Sequence, residues 1–207
     1  MAVLDWTELG TNDFPSLDRQ RTLAVLPLGA VEQHGPHLPT GTDSHILAAL
    51  LARLRGARLR GGTALLLPQQ PVGLSTEHTN FPGTLTIGAE TLLAAWVDLG
   101  ACVARAGIDR LVLLTSHGGN GALAELAALR LRERFGLVAV SLVTHRLGVP
   151  EGMVDPLEQR FGVHAGQIET ALMQAIAPDK VDRAARTDFA SDEPAIVARA
   201  DGLGAAG

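Results

Sequence analysis

Glutamate, aspartate and histidine residues gather at three places in this 207-residue chain, each next to glycines. The first is Gly29-Ala30-Val31-Glu32-Gln33-His34-Gly35-Pro36-His37-Leu38-Pro39, with Asp43 close behind. The second is Ser116-His117-Gly118-Gly119-Asn120, and the third is Gly162-Val163-His164-Ala165-Gly166-Gln167-Ile168-Glu169-Thr170. Carboxylate oxygens and imidazole nitrogens together are what a Zn²⁺ or Mn²⁺ site requires. Glu32 and His34, two apart in an extended segment, would point the same way and could ligate adjacent ions. In the third group His164 suits a general acid or base and Glu169 a ligand. Taken one at a time these residues have plainer uses: solvated loop groups, caps, or in Glu169 an acid favoured by the helix dipole. The metal reading rests on their occurring together.

A fourth stretch, Leu74-Ser75-Thr76-Glu77-His78-Thr79-Asn80-Phe81-Pro82-Gly83-Thr84, mixes polar residues with one aromatic. It reads as a substrate-side loop in which Glu77 and His78 are either hydrogen-bonded surface groups or direct participants in catalysis. Gly118 and Gly119, following His117, let backbone N–H groups approach a developing negative charge. No Gly-x-Ser-x-Gly elbow and no glycine-rich phosphate loop is present, which removes most support for a serine hydrolase or a nucleotide-binding protein.

The elements that must carry these residues alternate. Thr22–Leu28 is an apolar run without alternation, as in a strand buried on both faces. Asp43 or Ser44 is expected to cap a helix over 46–54 that stops at Gly56. A second strand over 63–67 leads into a long loop, 68–86, rich in proline and glycine, and loops of that length in a compact domain usually serve function. Helices are expected over 90–105, 120–135 and 167–176, and strands over 110–115 and 137–143. Strand and helix in alternation imply a parallel or mixed sheet with helices on both faces, in a single domain over 1–207. Ligands of such sheets bind beyond the carboxyl ends of the strands, where the first two motifs fall. The tail over 183–207 shows neither period and reads as extended or truncated.

Composition narrows the partners. The net charge is −5 and the 17 basic residues are scattered, so no nucleic-acid footprint stands out. No run reaches membrane-spanning length, and residues 1–15 do not read as a signal peptide. The single Cys102 sits among apolar neighbours and cannot form a disulfide within the chain, so the expectation is a cytoplasmic protein without a membrane or nucleic-acid partner.

These ordered motifs resemble the creatininase family over about residues 25–173. The resemblance implies a three-layer α/β/α sandwich with a mostly parallel sheet, two divalent ions per chain, and a homohexamer built as a trimer of dimers. Zn²⁺ and Mn²⁺ are the candidate ions, with Fe²⁺ as a third. It further implies that Glu32 and His117 hold one ion and His34 the other, that Asp43 bridges them, and that His164 is the catalytic histidine. In creatininase proper a ligating glutamate stands two positions after the third motif's histidine, where this chain has Gly119. The second ion then needs another carboxylate, and Glu169 is preferred over Glu77. Gly118 replaces the tyrosine of creatininase proper and no tryptophan follows Trp96, which points away from creatinine as substrate. The function implied is hydrolysis of a non-peptide C–N bond (amide, formamide or cyclic amidine) of a small molecule by metal-activated water. The alternatives are a peptidase acting on a peptide tail of the mycofactocin-precursor type, or a noncatalytic binding protein that kept the fold.

Overall fold

Thr22–Leu28 (β2) lacks polar alternation because both of its faces are covered. In this computed structural model, which describes residues 2–57, 61–162 and 164–187 together with Ala195 and Arg199, the chain falls into two compact units. The first comprises Met1–Gln33 and Thr40–Gly148, and the second His34–Pro39 and Val149–Gly207.

The first unit is built on a five-stranded sheet in which every pair is parallel. Its strands are β1 (Val3–Asp5), β2, β3 (Thr63–Leu66), β4 (Arg110–Thr115) and β5 (Val138–Val143), in the order β1-β3-β2-β4-β5. Its helices are α1 (Thr42–Arg55), α2 (Ala89–Arg105) and α3 (Gly121–Phe135). Ala24, Leu26 and Leu28 of β2 join Leu111 and Leu113 of β4 in a buried cluster with Leu92, Trp96 and Val103 of α2 and Ala124, Ala127 and Leu131 of α3. Val25, between them in sequence, faces the other way and packs with Leu47 and Leu51 of α1 and Leu66 of β3. Opposite faces of one pleated strand therefore bury different helices, and the three-layer α/β/α arrangement follows. β1, only three residues long, is too short to show a period in the sequence, and it was not expected there.

The strand order places a topological switch beside β2. The chain passes from β2 to β3 on one side and later from β4 to β5 on the other, so the crevice opens between the carboxyl ends of β2 and β4. Glu32 follows the first of these ends and His117 the second.

Two helix starts differ from the sequence expectation. α1 begins at Thr42 with Gly41 as its N-cap, and no side chain caps it. Asp43 lies inside the first turn and is buried, while Ser44 Oγ donates to the carbonyls of Ala30 and Pro71. Neither side chain caps the helix, because each is used to tie the loops that surround the crevice. α3 begins one residue later than expected, after a 3₁₀ turn over Gly118–Asn120, since the Asn120 amide reaches three other segments.

The second unit contains α4 (Pro156–Phe161), absent from the sequence expectation, and α5 (Gln167–Ile176), found where it was expected. His37 Nε2 and Thr170 Oγ1 of α5 lie 2.8 Å apart, and the His37 carbonyl accepts the Asp182 N–H. This fastens the short His34–Pro39 segment. Most of the tail over 183–207 and Val163 lie outside the described residues; Ala195 and Arg199 within that tail have helical backbone. No helix among the described residues is long and apolar enough to cross a membrane.

Gly100 of α2 shows how closely the layers approach: a Cβ there would come within 2.4 Å of Leu131 Cδ2 on α3. Leu131 is wholly buried and has little space to give. Gly100→Ala is expected to cost about 1–3 kcal/mol through overpacking, despite alanine's better helix propensity. Denaturant unfolding checks this, and the loss is expected to shrink when Leu131 is shortened to valine in the same protein.

Candidate metal centre

At the end of β4 the chain turns through His117 into two glycines, and the imidazole is buried with both nitrogens committed. Nε2 donates to the Leu74 carbonyl at 2.8 Å. Nδ1 lies 3.1 Å from Glu32 Oε1 and 3.4 Å from Asp43 Oδ2. Glu32 and Asp43 are each about 1% exposed. Two buried carboxylates around one ring nitrogen are tolerable only when a positive charge sits among them. That charge is either a proton on Nδ1 or a cation held by all three groups.

Both options are visible in the chemistry. Burial by itself would push the His117 imidazole down, but Asp43 and Glu32 hold it up to about 10 in the metal-free protein. Ligand atoms about 2.0–2.2 Å from a tetrahedral Zn²⁺ stand roughly 3.4 Å from one another, and the two spacings to Nδ1 match. The donor set, two carboxylates and an imidazole, therefore fits a divalent ion.

Glu77 and His78 reach this cluster from a 3₁₀ turn over Thr76–His78. Glu77 Oε1 is 3.9 Å from His117 Nε2, with its side chain half exposed. Glu32, Glu77 and His117 can offer ligand atoms within 4.8 Å of one another. His78 Nε2 lies 4.0 Å from Glu32 Oε2, and its Nδ1 takes a hydrogen bond from the Gln33 amide nitrogen at 3.1 Å. That donor leaves the proton of the neutral His78 ring on Nε2, facing Glu32. A Cβ on Gly118 would only touch His145 Cε1 at 3.6 Å, whereas one on Gly119 would lie 2.5 Å from His117 Nε2 and 2.7 Å from both Glu77 Oε1 and the Leu74 carbonyl. No side chain of any kind fits at 119.

In the second unit His34 is buried, with Nε2 3.8 Å from Glu169 Oε2. The His164 ring stacks at a tilt on His34 with centroids 4.2 Å apart. Burial would raise the Glu169 carboxyl, but the nearby His34 imidazole, the charge of His164 and the Ala165 N–H together hold it below the usual carboxylate range. Ala165, with φ 51°, is the non-glycine residue with left-handed backbone among those described, and its N–H donates to Glu169 Oε2 at 2.6 Å. Burial, Arg186 and His34 keep the His37 imidazole below its ordinary value.

The sequence candidates are thus found in two groups: Glu32, Asp43, Glu77, His78, His117, Gly118 and Gly119 in the first unit, and His34, His164 and Glu169 in the second. Sequence reading missed the Leu74 carbonyl, Thr115 and Asn120. A main-chain acceptor has no signature in side-chain type, and only the asparagine of the His-Gly-Gly-Asn motif was visible as a residue.

The chain belongs to the creatininase family: the family model described as creatinine amidohydrolase matches residues 7–204. It is 34% identical over 183 residues to the mycofactocin precursor peptide peptidase of Mycobacterium ulcerans, a match covering 84% of this chain and 66% of that protein. With the Mycobacterium tuberculosis protein of the same name it is 41% identical over 185 residues, again 84% and 66%. With the creatinine amidohydrolase of Pseudomonas putida it is 33% identical over 180 residues, covering 76% and 65%. The chain therefore spans slightly less than two thirds of the length of these relatives. Among solved structures, the creatininase described as the Mn form superposes with a TM-score of 0.66 at 27% identity, over 92% of this chain and 79% of the other. A substituted creatininase of Zn-Zn type gives 0.66 at 27%, over 89% and 77%.

Because His117 carries a proton below about pH 10 when no ion is bound, an ion that takes Nδ1 must displace it. Ion uptake at neutral pH is expected to release about one proton at this ring, and affinity to rise roughly tenfold per pH unit until the imidazolium is lost. Calorimetric titration of Zn²⁺ in buffers of different ionisation enthalpy measures the proton count. A count of zero at pH 7 would remove Nδ1 from the ligand set.

Proposed function

We propose that the protein is a metal-dependent hydrolase that cleaves an amide-type C–N bond. The observation that carries this reading is the arrangement of Glu32 and Asp43 around His117 Nδ1, with Nε2 tied to a backbone carbonyl. Two divalent ions are proposed, one with Glu32 and His117, the other with His34 and Glu169, and Asp43 is carried over from the family resemblance as the shared ligand. When bound, such ions supply a water acidified toward neutrality as nucleophile and polarise the scissile carbonyl. Zn²⁺ and Mn²⁺ are the favoured occupants, in keeping with the Mn and Zn-Zn forms of the creatininases to which the fold is similar.

The chain's own groups have separate tasks. The N–H groups of Gly118 and Gly119 stabilise negative charge on the carbonyl oxygen. His164 donates a proton to the leaving nitrogen, the usual work of a positioned imidazole. Glu77 and His78 orient the substrate and the nucleophile from the loop after β3. The protein is taken to act as a homo-oligomer on a small molecule in the cytoplasm.

A second reading, hydrolysis of a peptide tail, is favoured by the rim of the same loop. Phe81 is 51% exposed, Leu85 55% and Ile87 37%, apolar side chains on the segment that follows Glu77 and His78 and that could accept side chains of an extended peptide. The names of the mycobacterial relatives agree with it. Incubation with small formamides and amides alongside short peptides separates the two readings by which C–N bond is cut. Fewer than two ions per chain after reconstitution, with no turnover of either class, would favour a noncatalytic protein.

Glu169→Gln is expected to lose one of two ions per chain by elemental analysis, while Glu77→Gln keeps both, because Glu169 lies beside His34 and Glu77 on the Nε2 side of His117. The reverse pattern would give the second ion to Glu77. His164→Ala is expected to keep the fold and both ions but to slow turnover by about 10²- to 10⁴-fold. Unchanged turnover of an amide substrate would move the proton donor elsewhere.

A further inference from the structure

Asn120 is completely buried, and its amide is saturated with partners from three separate segments. Oδ1 accepts the Leu74 N–H at 2.9 Å, and Nδ2 donates to the Gly29 carbonyl at 3.0 Å and to Thr115 Oγ1 at 3.2 Å. These partners come from the turn after β2, the loop after β3 and the end of β4. Although Asn120 immediately precedes α3, it makes no capping bond to that helix. A buried amide spends such bonds only where they hold something specific in place.

What they hold is His117, from two directions. The residue whose N–H Asn120 binds is the one whose carbonyl accepts His117 Nε2–H, at 2.8 Å. Thr115 Oγ1, the other partner, brackets the His117 main chain: it accepts the His117 N–H at 3.1 Å and donates to the His117 carbonyl at 3.0 Å. Asn120 thus governs both the ring and the backbone of His117 without touching Glu32, Asp43 or Nδ1 in any of its hydrogen bonds.

We propose that Asn120 is a positioning residue for the metal centre: through Leu74 it fixes the His117 ring with the proton on Nε2, so that the Nδ1 lone pair faces Glu32 and Asp43. This rests on the reading that the cluster holds a divalent ion. An imidazole can present either nitrogen, and the acceptor on one decides which of them is left for the metal. Loss of such an outer partner typically weakens metal binding by about 10- to 100-fold. Gly119 belongs to the same device, since a Cβ there would lie 2.5 Å from His117 Nε2 and 2.7 Å from the Leu74 carbonyl, at the contact itself.

The test is titration of the metal-free full chain with Co²⁺, followed by visible absorption, whose band position and intensity report ligand geometry. Asn120→Ala, Gly119→Ala and the double variant are compared with wild type, and circular dichroism and thermal melting check that each is folded. Asn120→Ala is expected to bind Co²⁺ about 10- to 100-fold more weakly with an altered band. Gly119→Ala should show the same change, and the double variant should lose no more than the worse single variant, because both act through one contact. Wild-type affinity and spectrum in folded Asn120→Ala, or additive losses in the double variant, overturn the proposal. If Asn120→Ala does not fold, unaltered Co²⁺ binding by Gly119→Ala overturns it, since the contact through which Asn120 acts would then be irrelevant. Absence of a Co²⁺ band in wild type would instead reject the metal reading itself.

Discussion

The first unit is organised around one electrostatic demand, the burial of Glu32 and Asp43 against a single imidazole nitrogen. Two carboxylates out of water and close together cost several kcal/mol each unless a cation is shared between them. Their placement is therefore stable only in a protein that supplies a proton or a metal at that point. Surrounding contacts limit the ring's freedom to turn away: the Leu74 carbonyl at Nε2, the Thr115 hydroxyl at the backbone, and Asn120 behind both.

The sheet makes that placement affordable in packing terms. β2 is the central strand and is buried by helices on both faces, and β4 beside it buries Leu111 and Leu113 against α2 and α3. Glycines then let the loops close on one another. A Cβ at Gly29 would come within 2.5 Å of Ser44 Oγ, and one at Gly73 within 2.5 Å of Asn120 Oδ1 and 2.6 Å of the Gly29 carbonyl. Apolar burial provides the rigidity, and the missing side chains provide the proximity that polar groups need for short hydrogen bonds.

Membership of the creatininase family sets the frame in which Gly119 is informative. The resemblance leads one to expect a ligating glutamate there in creatininase proper, yet this chain fills the same space with the Leu74 carbonyl, the His117 ring and the Glu77 carboxylate. A side chain at 119 and the present path of the 74–77 loop exclude one another sterically. On the proposal of a second ion its carboxylate comes from another element, and Glu169 stands beside His34 in the second unit.

The alternation of apolar runs was enough to define the α/β class, the strands at Thr22–Leu28 and Arg110–Thr115 and the helix at Gln167–Ile176, because burial on both faces and helical spacing leave a direct imprint on residue type. The motifs likewise named the acids and histidines, since metal chemistry restricts the donor atoms available. Strand order, however, is a matter of long-range pairing, and it alone brings the turn after β2 next to the turn after β4. The tautomer of His117 depends on a carbonyl from Leu74, 43 residues away, and main-chain oxygens are the same in every sequence. Asp43 reads in the sequence both as a helix cap and, by the resemblance, as a ligand shared with His117; only the folded sheet shows it buried 3.4 Å from His117 Nδ1 with no side-chain cap on the helix.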